Sequence, residues 1–343
     1  MKLKYLTRFT CLSTLLPVSS FALNINLTPA AGMSQDSIDG FQRAANYWQS
    51  VLSDNATVNI DIDFRTLDPG VLGQAGSTTQ AIGVDAYFAA LGADITSASD
   101  LNAVANLPAL TLNGGINFLT QVNSEGNSTA VSLDSDDSGN NRVLNLNTAN
   151  AKAVGLRPAN DLASDASITF SDRFAWDYDN SDGVGPGLQD FVGVAVHEIG
   201  HALGFNSGVD TVDFAIANSA DLEDFRVFTG LDMFRYSADG VNDLAAGTVS
   251  YFSIDGGATN LGLFSTGSTY GDGQQASHWR DNLGLGIMDP TANPAGNVNT
   301  VSQLDLLAFD TIGWDITIQA VPEPSSSILL LGAGLGFVLR RKR

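Results

Sequence analysis

The sequence predicts an α+β fold, and three observations carry the prediction. Apolar residues recur at helical spacing near the N-terminus and are followed by a strictly alternating stretch. Further strand-like runs are separated by Gly, Asn and Asp turns, without the regular helix–strand alternation of a parallel α/β protein. One long apolar segment then carries His197 and His201 four residues apart, which is helical spacing.

The elements follow in chain order. Ile38, Phe41, Ala44, Ala45, Trp48, Val51 and Leu52 predict a helix over 35–52, with Ser34 as its N-cap. Asn59 to Phe64 alternates polar and apolar residues and predicts a half-exposed strand. Residues 78–111 are rich in alanine and predict helix in part. Leu112–Leu119, Thr129–Leu133, Arg142–Leu146 and Ala166–Phe170 have strand character. Trp176 to Gln189 reads as a loop, with Asp190 as N-cap of the helix that follows. Beyond Phe205 the chain reads as irregular to about residue 290. Ser302 and Asp305 then form a variant capping box, opening a helix through about Ile312.

The two ends read as processing signals. Lys2, Lys4 and Arg8 precede an apolar run from Phe9 to Val18 and a small-residue site at Ser20-Phe21-Ala22, so 1–22 predicts a secretory signal peptide. Cys11, the single cysteine, falls inside it, leaving the mature chain no disulfide and no cysteine-type latency switch. At the other end, Val321-Pro322-Glu323-Pro324 leads into an apolar run ending at Leu339 and then Arg340-Arg341-Lys342-Arg343. The run is short of the roughly 20 residues of a membrane span, so 319–343 would touch the membrane only transiently.

Charge excludes several function classes. The chain has 16 Lys and Arg against 37 Asp and Glu, a formal net charge of −21. Seven of the 16 basic residues lie in the two end segments, leaving nine in the body. Phosphate contacts require Lys and Arg, so the body is unsuited to nucleic acid or anionic membrane. Such acidity instead favours solubility and attracts divalent cations. About 300 residues between the ends suffice for one large domain, expected over 23–318 with lobes of about 23–205 and 206–318.

The chemistry is concentrated in Val194 to Phe205, which contains His197-Glu198-Ile199-Gly200-His201, the HExxH pattern. The two imidazoles share one helix face and can ligate one Zn2+, while Glu198 can reach a metal-bound water as general base without being a ligand. Gly193 and Gly200 are poor helix formers, expected where the helix packs closely against a neighbouring strand. A catalytic zinc needs a third protein ligand. The remaining histidine of the three in the chain is His278. Glu223, at a gluzincin-like distance beyond His201, and Asp210 or Asp213, just past the helix, are the rival ligands. The Asp-rich loops 134–140 and 177–183 offer oxygen ligands of the kind Ca2+ takes. Neither matches an EF-hand, and both also read as solvated turns.

Two family resemblances follow from these residues. The Pro-Glu-Pro motif, short apolar run and arginine-rich end resemble the PEP-CTERM sorting signal of Gram-negative bacteria. That resemblance implies recognition by an exosortase-type enzyme and delivery to the cell surface, exopolysaccharide matrix or medium. The set HExxHALGF, a long insertion, Ser277-His278-Trp279 and then Ile287-Met288-Asp289-Pro290 is similar to leishmanolysin-type metzincins. It looks closer still to bacterial PEP-CTERM metalloproteases of zincin type. The metzincin pattern HExxHxxGxxH keeps its glycine as Gly204, but Ser207 stands at the place of its third histidine. The resemblance covers about residues 185–315 and implies a metzincin-like zincin: a mixed-sheet N-terminal lobe, the HExxH helix and an irregular C-terminal lobe ending in a helix. It also implies that His278 is the third ligand, that Met288 packs beneath the metal as a Met-turn, and that the substrate is a peptide or protein. A structural or adhesive matrix protein with a vestigial zinc site, and a zinc hydrolase of a non-protein matrix amide, are the alternative functions.

Overall fold

The computed structural model describes residues 23–123, 126–220 and 225–317. The signal segment 1–22, the rival ligand Glu223 and the tail from 319 lie outside the described residues.

Strand β1 (Asn24–Pro29) leads to α1 (Gln35–Val51), where the Ser34 hydroxyl accepts the Ser37 N–H at 3.2 Å as the predicted N-cap. Helix α1 buries Phe41, Ala44, Ala45 and Trp48 on one face and ends one residue before Leu52, its C-cap. Strand β2 (Thr57–Arg65) turns Val58, Ile60 and Ile62 inward and leaves Asp61 exposed, as the alternation predicts. Strands β3 (Gly73–Ser77) and β4 (Thr79–Gly83) follow, then α2 (Val84–Ala93) and α3 (Ala98–Ala105), so the alanine-rich stretch holds a strand as well as helices.

Strands β5 (Phe118–Asn123) and β6 (Gly126–Asp134) form an antiparallel hairpin. The strand expected over Leu112–Leu119 starts only at Phe118. Residues 111–115 make a turn closed by the Thr111 N–H on the Gly115 carbonyl, with Gly114 at φ +85° and Leu112 fully exposed. Beyond β6 come the short α4 (Gly139–Arg142), β7 (Val143–Asn147), α5 (Thr148–Ala153) and β8 (Ala166–Ser171). The main sheet has the order β1-β2-β8-β3, with β1, β2 and β8 parallel and β3 antiparallel at the edge.

A two-residue bridge between β9 (Trp176–Asp177) and β10 (Gln189–Asp190) closes the loop before α6 (Phe191–Leu203). Helices α1 and α6 pack together over the sheet, where the rings of Phe41, Phe170 and Phe191 lie 4.6–5.0 Å apart. Buried Trp48 and Trp314 donate their indole N–H to the Val196 and Leu203 carbonyls, bracing α6 from two sides.

The region read as irregular contains α7 (Val209–Asn218), a 3-10 turn at Leu231–Phe234 and the strands β11 (Arg235–Ala238), β12 (Val241–Asn242), β13 (Tyr251–Phe252) and β14 (Gly262–Leu263). These strands form an antiparallel sheet of order β12-β11-β13-β14. Helix α7 escaped the sequence reading because its N-cap Gly208 offers no side-chain acceptor. Strands of two to four residues are too short to show a period. The last helix, α8 (Gln303–Thr311), opens with the capping box expected between Ser302 and Asp305. Among the described residues no helix is long and apolar enough to cross a membrane.

Candidate metal centre

Helix α6 starts where expected: the Asp190 carboxylate accepts the Gly193 N–H at 2.9 Å. It ends at Gly204, whose φ of +124° turns the chain sharply off the helix axis. An apolar helix buried nearly all round suits a central position, and only His197 among its residues is more than slightly exposed. Gly200 makes a close approach possible, though not the expected one. A Cβ there would stand 2.7 Å from Met288 Sδ and 3.4 Å from the Phe309 ring, so the partners are the Ile287-Met288 turn and α8 rather than a strand.

The structure brings His197, His201 and His278 together. Their Nε2 atoms form a nearly regular triangle, 3.1 Å from His201 to each of the other two and 3.3 Å between His197 and His278. Each Nδ1 faces a backbone carbonyl: Ile287 at 2.6 Å, Phe205 at 2.7 Å and Gln275 at 3.2 Å. A carbonyl only accepts, so each Nδ1 must carry the proton and each Nε2 is left with a bare lone pair. Three lone pairs converging without a proton between them repel, and a shared cation removes the repulsion. Burial lowers the pKa of all three rings, taking His201 down to about 3, and keeps them neutral as ligands must be. These three histidines can hold one metal ion.

Glu198 is 6% exposed and has no hydrogen-bond partner among the described residues. Burial pushes its carboxyl up to about 8. Its Oε1 lies where a Cβ on Gly73 would be 3.1 Å away, so glycine lets β3 pass beside the carboxylate. Glu198 and the three histidines line one cleft of about 980 Å³. Residues Gly70 to Leu72, the start of β3 and parts of 284–300 also line it.

His278 owes its position to carboxylates, half-buried at Asp210 and buried at Asp232 and Asp305. Asp210, on α7, accepts the Ala276 N–H at 2.6 Å, the Ser277 N–H at 3.1 Å and the Ser277 hydroxyl at 2.5 Å. The Ser207 N–H donates to Ser277 Oγ at 2.9 Å, and the Ser207 hydroxyl donates to Asp232. Arg235, fully buried over the Phe264 ring, donates to the Ala276 carbonyl at 2.6 Å. On the far side Trp279 donates its indole N–H to Asp305, which also accepts the backbone N–H groups of Ile287, Met288 and Ser302. The Trp279 N–H bonds the Met288 carbonyl at 3.0 Å. Met288 itself is fully buried under Gly200.

The rival ligands fall elsewhere. Asp210 supports the loop of His278, and Asp213 accepts the Thr269 and Tyr270 N–H groups, each at 2.8 Å. Neither joins the histidine triangle. Sequence reasoning missed Asp232, Arg235 and the second role of Asp305. The Ser302–Asp305 capping box was the one signal in reach, and it marked Asp305 only as a cap.

A family profile for the PEP-CTERM protein-sorting motif matches residues 320–343. No curated protein and no solved structure matches the chain. The motif marks a bacterial protein that is exported and sorted to the surface, with an exosortase-type enzyme as the partner that recognises its tail.

Proposed function

We propose that the protein is a secreted zinc-dependent metalloendopeptidase with a metzincin-like catalytic domain. The observation that carries this reading is the triangle of Nε2 lone pairs with an unpartnered Glu198 beside it, inside one cleft. Three nitrogens bound to one tetrahedral zinc at 2.0–2.1 Å lie about 3.3 Å apart, and the triangle has edges of 3.1–3.3 Å. Oxygen-preferring cations are poorly served by three neutral imidazoles. The backbone carbonyls on each Nδ1 orient the rings and raise their basicity. Met288 beneath Gly200 and the turn at Gly204 support the metzincin-like part.

Zinc bound there supplies Lewis acidity and lowers the pKa of water to about 7. Glu198 is placed to take the proton of the attacking water and return it to the leaving amine. The edge strand β3 borders the cleft with an open row of backbone groups. An extended peptide adding to that edge would lie along the cleft that Glu198 and the histidines line.

Zinc content and casein hydrolysis of wild type and Glu198→Ala test the reading. The expected outcome is one zinc per chain in both and hydrolysis lower by 10²–10⁴-fold in the variant. Undiminished proteolysis in Glu198→Ala would sink the proposal. Zinc bound without hydrolysis of any peptide in a library favours the structural or adhesive alternative, and release of amines from matrix polysaccharide alone favours the non-protein amide.

A further inference from the structure

The two Asp-rich loops use their carboxylates differently. In the second, Asp177 accepts the Asp179 and Gly185 N–H groups at 3.1 and 2.8 Å. Asp179 accepts the Ser181 N–H at 3.2 Å and pairs with Arg43 at 3.0 Å. That loop satisfies its own charges.

The first does not. Asp134, at the end of β6, is 2% exposed. Its Oδ2 accepts from Asn140 Nδ2 at 3.1 Å, which directs the carboxyl into the turn formed by 136–140. Its Oδ1 is buried with no hydrogen-bond partner. A buried carboxylate oxygen without a donor is costly, and its usual remedy is a partner or a metal ion. Burial pushes the Asp134 pKa up, with the Asp136 carboxylate adding to the rise and the Asn141 and Asn140 side chains opposing it.

We propose that Asp134, Asp136, Ser138 and Asn140 form a calcium site, with Asp134 Oδ1 as its buried ligand. The four residues alternate along the turn and are linked by hydrogen bonds, from Asn140 to Asp134, from the Ser138 hydroxyl to Asn140 and from the Ser138 N–H to Asp136. Ser138 Oγ and Asn140 Oδ1 are 2.9 Å apart, and Asp136 Oδ1 lies 2.9 Å from the Ser138 N–H. All four offer oxygen, the ligand atom that calcium takes six to eight times over. Asp137 is outside the set, since its carboxylate faces Thr111 and Asn113. Gly139 occupies the sixth position of the loop, where an EF-hand has its glycine, but the twelfth holds Asn145 in place of the bidentate glutamate. Loss of that ligand places the affinity near the 10⁻⁴–10⁻³ M of extracellular calcium modules, which suits a protein sorted to the cell surface.

Thermal unfolding of the full chain, loaded with zinc and free of other divalent cations, tests the site independently of any hydrolase activity. Calcium chloride at a hundredfold excess over Kd is expected to raise the Tm of wild type by roughly 5 °C. Asp134→Asn is expected to abolish the rise. Without calcium it is expected to melt no lower than wild type, because an amide replaces a buried carboxylate that has one oxygen without a donor. Asp177→Asn is expected to keep the rise in full. Should Asp134→Asn fail to fold, Asp136→Asn carries the same test. An equal calcium shift in wild type and the loop variants, or no shift in wild type, overturns the proposal.

Discussion

His197 and His201 are held by different physics from His278. The first two sit one helical turn apart on α6, whose start and end are set by Asp190 and Gly204 and whose sides are packed in the core. Their relative placement is a local property of the chain. His278 stands at a turn, tied by Asp210, Ser207 and Arg235 on one side and by Trp279 with Asp305 on the other. Apart from the Gln275 carbonyl on its Nδ1, its placement is non-local. The difference teaches that three of the four side chains of the candidate site come with one helix, and the fourth is placed by polar groups from α7, β11 and α8.

The largest effect is expected from removing the non-local ligand itself. His278→Ala leaves two imidazoles, and zinc is expected to be lost on dialysis while the far-ultraviolet circular dichroism stays that of wild type. Metal analysis checks this. Zinc retained at one equivalent per chain would mean that another group, such as Glu223, completes the site.

Next comes Asp305, the joint between the Met288 turn, the His278 segment and α8. Asp305 is wholly buried and accepts from four donors, so Asp305→Ala strands four N–H groups at once. At about 1–3 kcal/mol for a buried group left unmade, with relaxation recovering part, the expected loss is about 3–5 kcal/mol. Urea unfolding measures it. A loss below about 1 kcal/mol would show that the joint is not a structural centre of the C-terminal half.

The same contrast explains what was legible in the sequence. Helices α1, α6 and α8 announce themselves through Ser34, Asp190 and the Ser302–Asp305 box, because capping and amphipathic spacing act within one or two turns. Strands β2 and β8 show through alternation or apolar runs. Helix α7 lacks a side-chain cap, and exposed Phe214 interrupts the polar face beside buried Val212, Asp213 and Ala215. The roles of Asp210 and Asp232 could not be read at all, since aspartates of identical local appearance line solvated turns elsewhere in this acidic chain. Scarcity of histidine pointed toward His278, whereas the geometry of its support exists only in three dimensions.

A smaller effect is expected at Asp210, one step removed from the metal. Asp210→Asn keeps the volume but replaces one acceptor oxygen by an amide that cannot accept from the Ser277 or Ala276 donors. The His278 ring then loses its fixed approach, and zinc affinity is expected to fall about 10–100-fold, the usual cost of an outer support group. Competition with a chromogenic chelator measures it. Unchanged affinity would show that Arg235 and Trp279 suffice to place His278.

The smallest effect is expected at Ser207, the residue at the place of the third histidine in the compact metzincin pattern. Its hydroxyl serves Asp232, and only its backbone N–H serves the His278 segment. Ser207→Ala therefore removes two buried hydrogen bonds, the one donated to Asp232 and the weaker one accepted from the Val209 N–H at 3.2 Å, and leaves the donor to Ser277 Oγ in place. Stability is expected to fall by about 1 kcal/mol, because Asp232 keeps its Gly208 and Thr229 donors. Zinc affinity is expected to stay within about twofold, since no contact to the metal-facing rings changes. A fall in affinity comparable to that of Asp210→Asn would mean that Ser207 positions the third histidine through its side chain. A pure stability effect would mean that Ser207 seats the His278 segment through its backbone N–H alone.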